Sequence, residues 1–471
     1  MSTEHFDIAI LGGGPAGAVL CRELRRMGHG VALVAAPRPF PAFEGFAERA
    51  LKGLAWAGCE RALAAVGPRV ARSARWNGTY FAGNVEHLVD RQSFDRALLD
   101  DIRASGAQLH AGRVQGTHPL DDGAGWQIEW RAADGAVQRL RAGYLVDARG
   151  RRAPRSGLTW RRGPASVCIA RRWRYPRVPE PLARVETFED GWMWFARDAR
   201  GEAMLQFFLC AERGPLPAGE RLPTHYTALL ERLPQAGELL RGAAPVAGER
   251  GGVHLRDAGT SLCAAPMGER QARVGEAALS IDPLAGHGVF EAVGGALALA
   301  VSLNTLLRRP QRAALAQRFY SDRLGHDFIR MARTGRDFYA MEQRWADGDF
   351  WAPRRAWPDD LPAHPGLSGE ARVSHMPVAD GDLVEAREVL VTADQPRGIW
   401  QVQGVPLVAL LRELGKRRSP QQALAAVAAD TAPDADPQAA LAWLRHRGLL
   451  RDDPPPSADQ PAATGQNGRA C

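Results

Sequence analysis

Blocks of continuous apolar residues alternate along the chain with stretches of two-residue or helical period, and their order predicts the elements. Phe6 to Leu11 is a short apolar run that reads as a buried parallel strand. After GGGPAG at 12–17, Ala18 to Met27 has helical spacing and stops at Gly28, and Val31 to Val34 is the next strand. Together these form a strand–turn–helix–strand unit of about 30 residues. Residues 74–90 and 126–146 alternate aromatic or β-branched with polar residues, as antiparallel strands do, and Arg91 to Ser105 is an amphipathic helix. A second strand-rich block fills 165–210, proline-bounded helices fill 222–242, strand and helix signals return over 272–307, and 311–346 is helical. Residues 352–397 are rich in Pro, Asp and Gly with little periodicity and read as a linker. Val405 to Leu450 becomes helical again, and the tail from Asp452 has the composition of a disordered segment. No internal repeat is visible.

The chemistry begins in the first turn. Gly12, Gly14 and Gly17 match G-x-G-x-x-G between a strand and a helix, with Pro15 and Ala16 opening the helix. The first glycine permits the tight turn, the second lets backbone approach a pyrophosphate, and the third permits close helix–strand packing at a helix N-terminus. An acidic residue about 20 positions on usually holds the ribose. Here the second strand ends in Val34, Ala35, Ala36 and Pro37, so Arg38 or Glu44 would have to substitute.

Composition narrows the classes. The 471 residues allow about three domains, and 45% hydrophobic with 24% charged residues is ordinary globular composition. Lys plus Arg is 60 against 53 acidic residues, a net charge of +7, and all but Lys52 and Lys416 of the 60 are Arg. These arginines are spread along the whole chain, which argues against a nucleic-acid surface. Cys21, Cys59, Cys168, Cys210, Cys263 and Cys471 lie far apart with no CxxC and no metal-type spacing, as in a reduced, intracellular protein. The acidic N-terminus runs straight into a strand with no secretory signal. Ala292 to Leu307, the most apolar stretch, is 16 residues and too short to span a bilayer. The expectation is a cytoplasmic protein without a membrane or nucleic-acid partner.

Two further stations carry a resemblance. YLVDARGRR at 144–152 ends an apolar strand in Asp147 and Gly150, and ARVGEAALSIDPLAGHGVFEAV at 272–293 runs into a helix. In this order and spacing the three stations resemble the single-dinucleotide-fold flavoprotein monooxygenases and flavin-dependent halogenases, over roughly residues 5–345. The resemblance implies an α/β fold: one Rossmann-type FAD-binding domain with an interleaved antiparallel-sheet substrate domain, followed by a small C-terminal helical, winged-helix-like domain. It divides the chain into a discontinuous FAD-binding domain (1–74, 91–125, 140–160 and 265–310), a substrate domain (75–90 and 165–264), a helical extension (311–351), a linker (352–397), a small domain (398–451) and a tail (452–471). It places FAD against Gly12, Gly14, Pro15, Ala16, Gly17, Arg38, Asp147, Gly275, Glu276, Pro283, Gly286, Gly288 and Val289. The family has Asp where this chain has Glu276. Arg91, in R-x-x-F-x-x-x-L, resembles the Arg beside the FAD pyrophosphate, its alternative being a surface helix residue. No second GxGxxG is present, so electrons would come from transiently bound NAD(P)H or a partner flavin reductase, and O2 would be the co-substrate.

Within that group, GWMWFAR at 191–197 resembles the W-x-W-x-I-P signature of tryptophan halogenases in Trp192 and Trp194 but departs at Ala196 and Arg197; residues two apart also face one side of a strand as paired core aromatics. PLAGHG replaces the halogenase P-L-E-S-T-G, and the only Lys in the flavin region, Lys52, sits in a helical segment. Halogenation therefore gives way to monooxygenation through a flavin C4a-hydroperoxide, for which the protein supplies a dry pocket and orientation. His287 is the catalytic candidate near the reacting oxygen, against the alternative of a histidine hydrogen-bonded into its loop, and His87 joins Trp192 and Trp194 as a pocket candidate.

Residues 405–450 resemble the peptide-recognition module of enzymes that modify ribosomal peptides, with Ser419-Pro420 and Asp436-Pro437 starting helices and a terminal RGLL; a DNA-reading helix-turn-helix and a plain packing element are the alternatives. The whole chain is similar to the flavoprotein monooxygenases of quinohemoprotein amine dehydrogenase (cysteine tryptophylquinone) biogenesis, which implies a tryptophan within a peptide or protein as substrate. A hydroxylase or halogenase of a free aromatic metabolite and a non-catalytic flavoprotein assembly factor are the rivals.

Overall fold

A computed structural model describes residues 4–177, 179–211, 221–367, 369–416 and 418–450. The expected disordered tail lies outside these residues. Contacts divide the chain into a first unit, 1–363 with 377–385, and a second, 364–376 with 386–471.

In the first unit, strand β1 (His5–Leu11) pairs in parallel with β2 (Val31–Ala35) on one side and with Val137–Asp147 on the other. All five residues of β2 are buried, which explains its unbroken VALVA: a parallel strand covered on both faces has no polar side. Gln108–Ala111 extends this sheet beyond β2, and Gln271–Arg273 adds in parallel to Val137–Asp147. Helix α1 (Pro15–Arg26) packs on it together with the helix Gly288–Arg308. That second helix is longer than the apolar run in the sequence and is long and apolar enough to cross a membrane. Here it is a core helix, its Leu299 and Leu303 fully buried.

A nine-stranded sheet forms the other half. It contains β3 (Phe43–Phe46), β4 (Arg69–Trp76), β5 (Thr79–Asp90) and the strands Ser166–Arg174, Leu182–Phe188, Gly191–Arg197 and Glu202–Cys210. The domain boundary expected at residue 74 therefore moves: β3 pairs with the end of β5, Phe46 opposite His87, and Arg72 to Arg75 pair with Ala183 to Glu186, drawing both segments into the substrate sheet. Both faces of this sheet are covered. Met193, Phe195, Leu205 and Phe207 meet helices Arg221–Arg232 and Pro234–Leu239 on one side. Trp192, Trp194, Met204 and Phe208 meet Tyr339, Phe350 and Trp351 on the other.

The stretch expected as a linker, 352–397, is structured. Strands Arg372–Asp380 and Leu383–Thr392 are joined by a tight turn at Gly381 (φ +56°), followed by a third strand, Gln395–Ile399. Asp-Gly between alternating segments is a hairpin signal, obscured here by the Pro and Asp around it. In the second unit, helices Leu407–Gly415, Pro420–Val427 and Pro437–His446 enclose Leu410, Ala423, Leu441 and Leu444. Ser419 and Gln422 form a reciprocal capping box, and Asp436 accepts from the amides of Gln438 and Ala439.

Candidate active site

The three stations, each more than a hundred residues from the next, converge at the C-terminal ends of the parallel strands. Leu11 lies opposite Asp147 and Asp147 opposite Arg273, while the amide of Val274 donates to the Asp147 carbonyl at 3.1 Å. The glycines are required by contact. Gly12 has φ +115°, and a Cβ there would stand 2.5 Å from the Ala148 carbonyl oxygen. A Cβ on Gly17 would fall 2.0 Å from the Gly12 oxygen. Gly275, at φ +61°, lies so close to α1 that a Cβ would meet that of Ala16 at 2.8 Å.

Around Gly14 the opposite holds: a Cβ would have nothing within 4 Å. Gly14 is the N-cap of α1, no side chain caps that helix, and its first turn carries no acidic residue. An uncapped helix N-terminus with open space before it fits an anionic pyrophosphate, so the residues present fit a flavin dinucleotide. The helix Gly288–Arg308 also starts with no side-chain cap at His287 and open space at Gly288, but it carries Glu291 in its first turn. Pro283 and Gly286 shape the turn before it. The carboxylate of Asp282 accepts from the Leu284 amide at 2.9 Å, and Gly286 adopts the left-handed conformation at φ +66°.

Other expected contacts are engaged by the protein. Both oxygens of Asp147 bind Arg149, through its amide and its guanidinium. Glu276, half exposed, accepts from Arg151 Nε at 2.8 Å. Arg91 is no surface residue: its guanidinium is buried, donating from Nη1 to Glu44 at 2.6 Å and from Nη2 to Asp95 at 2.9 Å, and Asp95 also takes Arg38. Burial opposes ionisation of Glu44, but Arg91, Arg38 and Arg256 outweigh it and hold its carboxyl below the usual range. The two candidate ribose substitutes, Arg38 and Glu44, thus belong to one ion network with Arg91, between β2 and the helix Arg91–Ala104.

The comparisons with known proteins agree with this geometry. Residues 5–171 match the family described as FAD binding domain. Nearly the whole chain is similar to a solved peptidyl tryptophan dihydroxylase, QhpG, essential for tryptophylquinone cofactor biogenesis: 37% identical, TM-score 0.80, covering 95% of this chain and 100% of that one. The chain belongs to the flavin-dependent monooxygenase superfamily. This monooxygenase also shares its fold with the flavin-dependent halogenase CmlS, at TM-score 0.70 and 17% identity over 95% of this chain and 96% of that one. It is 23% identical to the flavin-dependent halogenase armH4 of Armillaria mellea, over 69% of this chain and 70% of that protein.

Facing the turn at Pro283–Gly288, the candidate cofactor turn, is the sheet surface that carries Trp192 and Trp194. Trp192 stacks on Phe208 at 3.8 Å and donates to the Tyr339 hydroxyl, which in turn donates to Asp282. It is a core residue that braces the turn from behind. Burial raises the Asp282 carboxyl above its usual range. His287 has its basicity lowered, chiefly by burial and then by Arg49, Arg330 and Arg72, with the Ala285 backbone opposing, so the ring is neutral at pH 7. Lys52 is exposed on the helix Glu48–Trp56.

His87 is a correction. It is in register with Arg69 and Phe46, and its Nδ1 pairs with the Gly67 carbonyl at 2.9 Å. The side chain that reaches the inner face is its neighbour Glu86, opposite Val70 and within ion-pair range of Arg72. Sequence reasoning missed Glu86 and Arg72. The usable signal was phase, since Glu86 shares a strand face with buried Leu88 while His87 points to the other side.

Proposed function

We propose that this protein is an FAD-dependent monooxygenase that hydroxylates a tryptophan ring within a peptide or protein, in the making of a quinone cofactor. The observation that carries the reading is the correspondence, end to end and at 37% identity, with a peptidyl tryptophan dihydroxylase. Gly12, Gly14, Pro15, Ala16 and Gly17 would hold the FAD pyrophosphate. Arg38, Arg91, Asp147 and Glu276 would line its ribose and ribityl side, the first three through the networks that order them. Pro283, Gly286, Gly288 and Val289 would face the ring. When bound and reduced by NAD(P)H or a partner reductase, FAD supplies activated oxygen from O2.

The chain's own contribution is positional. The turn at Pro283–Gly288, braced by Asp282, Tyr339 and Trp192, fixes the ring's surroundings, and the apolar sheet face excludes water. His287, neutral and at the mouth of the helix Gly288–Arg308, accepts or returns a proton at its imidazole. The second unit carries a groove lined by His375, Glu388, Trp400, Pro406 and Ala409, which suits a polypeptide chain and supports the assignment of partner recognition to it. Halogenation is disfavoured by Gly286 and His287 in the chloride-holding positions and by the absence of a lysine other than exposed Lys52 in the flavin region.

The test is mass spectrometry of a tryptophan-containing polypeptide incubated with purified protein, FAD, NADPH or a flavin reductase, and air. A gain of one or two oxygen masses on the tryptophan is expected. Oxidation of free indoles or phenols alone, unchanged on deleting 396–471, would give the function to a small-metabolite hydroxylase. Survival of host-pathway complementation in Gly14→Asp, with FAD binding lost, would give it to an assembly factor.

A further inference from the structure

The face of the large sheet turned toward the cofactor turn is apolar at Val70, Ala74, Ala183, Val185 and Met204, and the carboxylate of Glu86 stands in it. Glu86 is 7% exposed. Its Oε1 accepts no hydrogen bond, and its Oε2 lies 3.7 Å from Arg72 Nη1, beyond hydrogen-bond reach. Buried polar groups are as a rule satisfied, because an unmade bond forfeits their desolvation cost. The space for this side chain is built in: a Cβ on Gly45 would fall 2.3 Å from Glu86 Oε2. Arg72 links the carboxylate to the cofactor turn, its Nη1 lying 3.7 Å from where a Gly286 Cβ would stand. The groups facing Glu86 are Arg72 from β4, Gly45 from β3 and the indole of Trp194 from Gly191–Arg197, so Arg72 supplies the only charge among them.

Rings electron-rich enough to be hydroxylated beside a flavin, indoles and phenols, carry a single N–H or O–H in the ring plane. Burying that donor in an apolar pocket requires an acceptor, and an ionised carboxylate is acceptor-only. We propose that Glu86 is the substrate-side acceptor of this enzyme: Oε1 takes the ring N–H of the tryptophan being oxidised and so fixes which edge of the indole meets the cofactor. The tryptophan part rests on the function proposed above; the acceptor part rests on Glu86 alone. Burial pushes the Glu86 carboxyl up, with Arg72 and Trp194 opposing, so indole binding strengthens as pH rises and ionises it.

The test uses the full-length protein loaded with FAD and four probes: indole, 1-methylindole, phenol and anisole. Binding is read by calorimetry and by the shift of the bound flavin's visible spectrum. Wild type is expected to take indole about tenfold more tightly than 1-methylindole, the scale of a hydrogen bond to a charged group. Glu86→Leu brings the ratio below about twofold with FAD affinity unchanged, since the acceptor is gone. Glu86→Gln, which also serves should the leucine variant fail to fold, lowers it at least about threefold, because an amide carbonyl accepts more weakly than a carboxylate. Equal binding of the two indoles, with a Glu86-dependent preference for phenol over anisole, would keep the acceptor and remove the tryptophan reading. Equal binding within both pairs, binding of none of the four, or a ratio untouched in both variants would overturn the acceptor role itself.

Discussion

A methyl group added at Gly17 would stand 2.0 Å from the Gly12 oxygen, so Gly17→Ala must push α1 away from β1. Loss of saturable FAD binding and a lower melting temperature are expected, measured by flavin titration and thermal unfolding. Gly275→Ala adds a left-handed backbone, costing about 1–3 kcal/mol, to a clash with Ala16 and should weaken FAD in the same assay. Tyr339 joins Trp192 to Asp282 inside the core; Tyr339→Phe leaves a buried donor and acceptor unmade and should cost about 1–3 kcal/mol in urea unfolding. At this scale the glycines were legible because their requirement is local and steric. Glu86 was missed because the phase that groups it with Leu88 does not say which face of the strand is covered, and its pairing with β4 decides that. Arg91 read equally well as a surface residue until Glu44 and Asp95 enclosed it.

Helices Gly288–Arg308 and Ala313–Ala340 meet around two carboxylates. Glu291 and Asp327 share the charges of Arg330 and Arg323, and burial, then Asp327, push the Glu291 carboxyl up to about 7. A raised carboxyl binds its proton more tightly when folded, so its contribution to stability is complete below the ordinary carboxyl range and is lost as pH climbs to about 7. Glu291→Gln should flatten that part of the stability–pH curve while leaving the acid end alone, read by thermal unfolding from pH 4 to 8. Element order along the first unit was readable from period and punctuation. The misplacements were of membership: nothing within β3 or β4 announces which sheet they join, and only their partners in β5 and Leu182–Phe188 decide it. The hairpin at Gly381 was hidden because proline and aspartate outweighed the alternation in LVEAREVLVT.

For the molecule as a whole, two separate cores predict separable functions. Deleting 396–471 removes most of the core around Leu410, Leu441 and Leu444 but none of the residues set around the flavin stations. FAD titration should give the same affinity for the truncated and the full chain, while oxidation of a polypeptide tryptophan should fall at least about tenfold if the second unit supplies about 1.4 kcal/mol or more of recognition. Equal polypeptide activity in the truncated chain would relieve the second unit of that role. The sequence carried the flavin core because three distant motifs had to converge on one ligand. It left the second unit's role open because capped helices serve packing as well as recognition.

The preference for arginine also makes the molecule its own ruler. Lys52 and Lys416 are both exposed, one in each unit. Since they are the only lysine amines on the chain, a lysine reagent applied after the chain's first amine, the more acidic of the two kinds, has been blocked at lower pH would mark one place per unit. Paired dyes, or a spacer series of bifunctional esters, would then report the separation of the two units with and without a bound polypeptide, and no engineered cysteine would be needed.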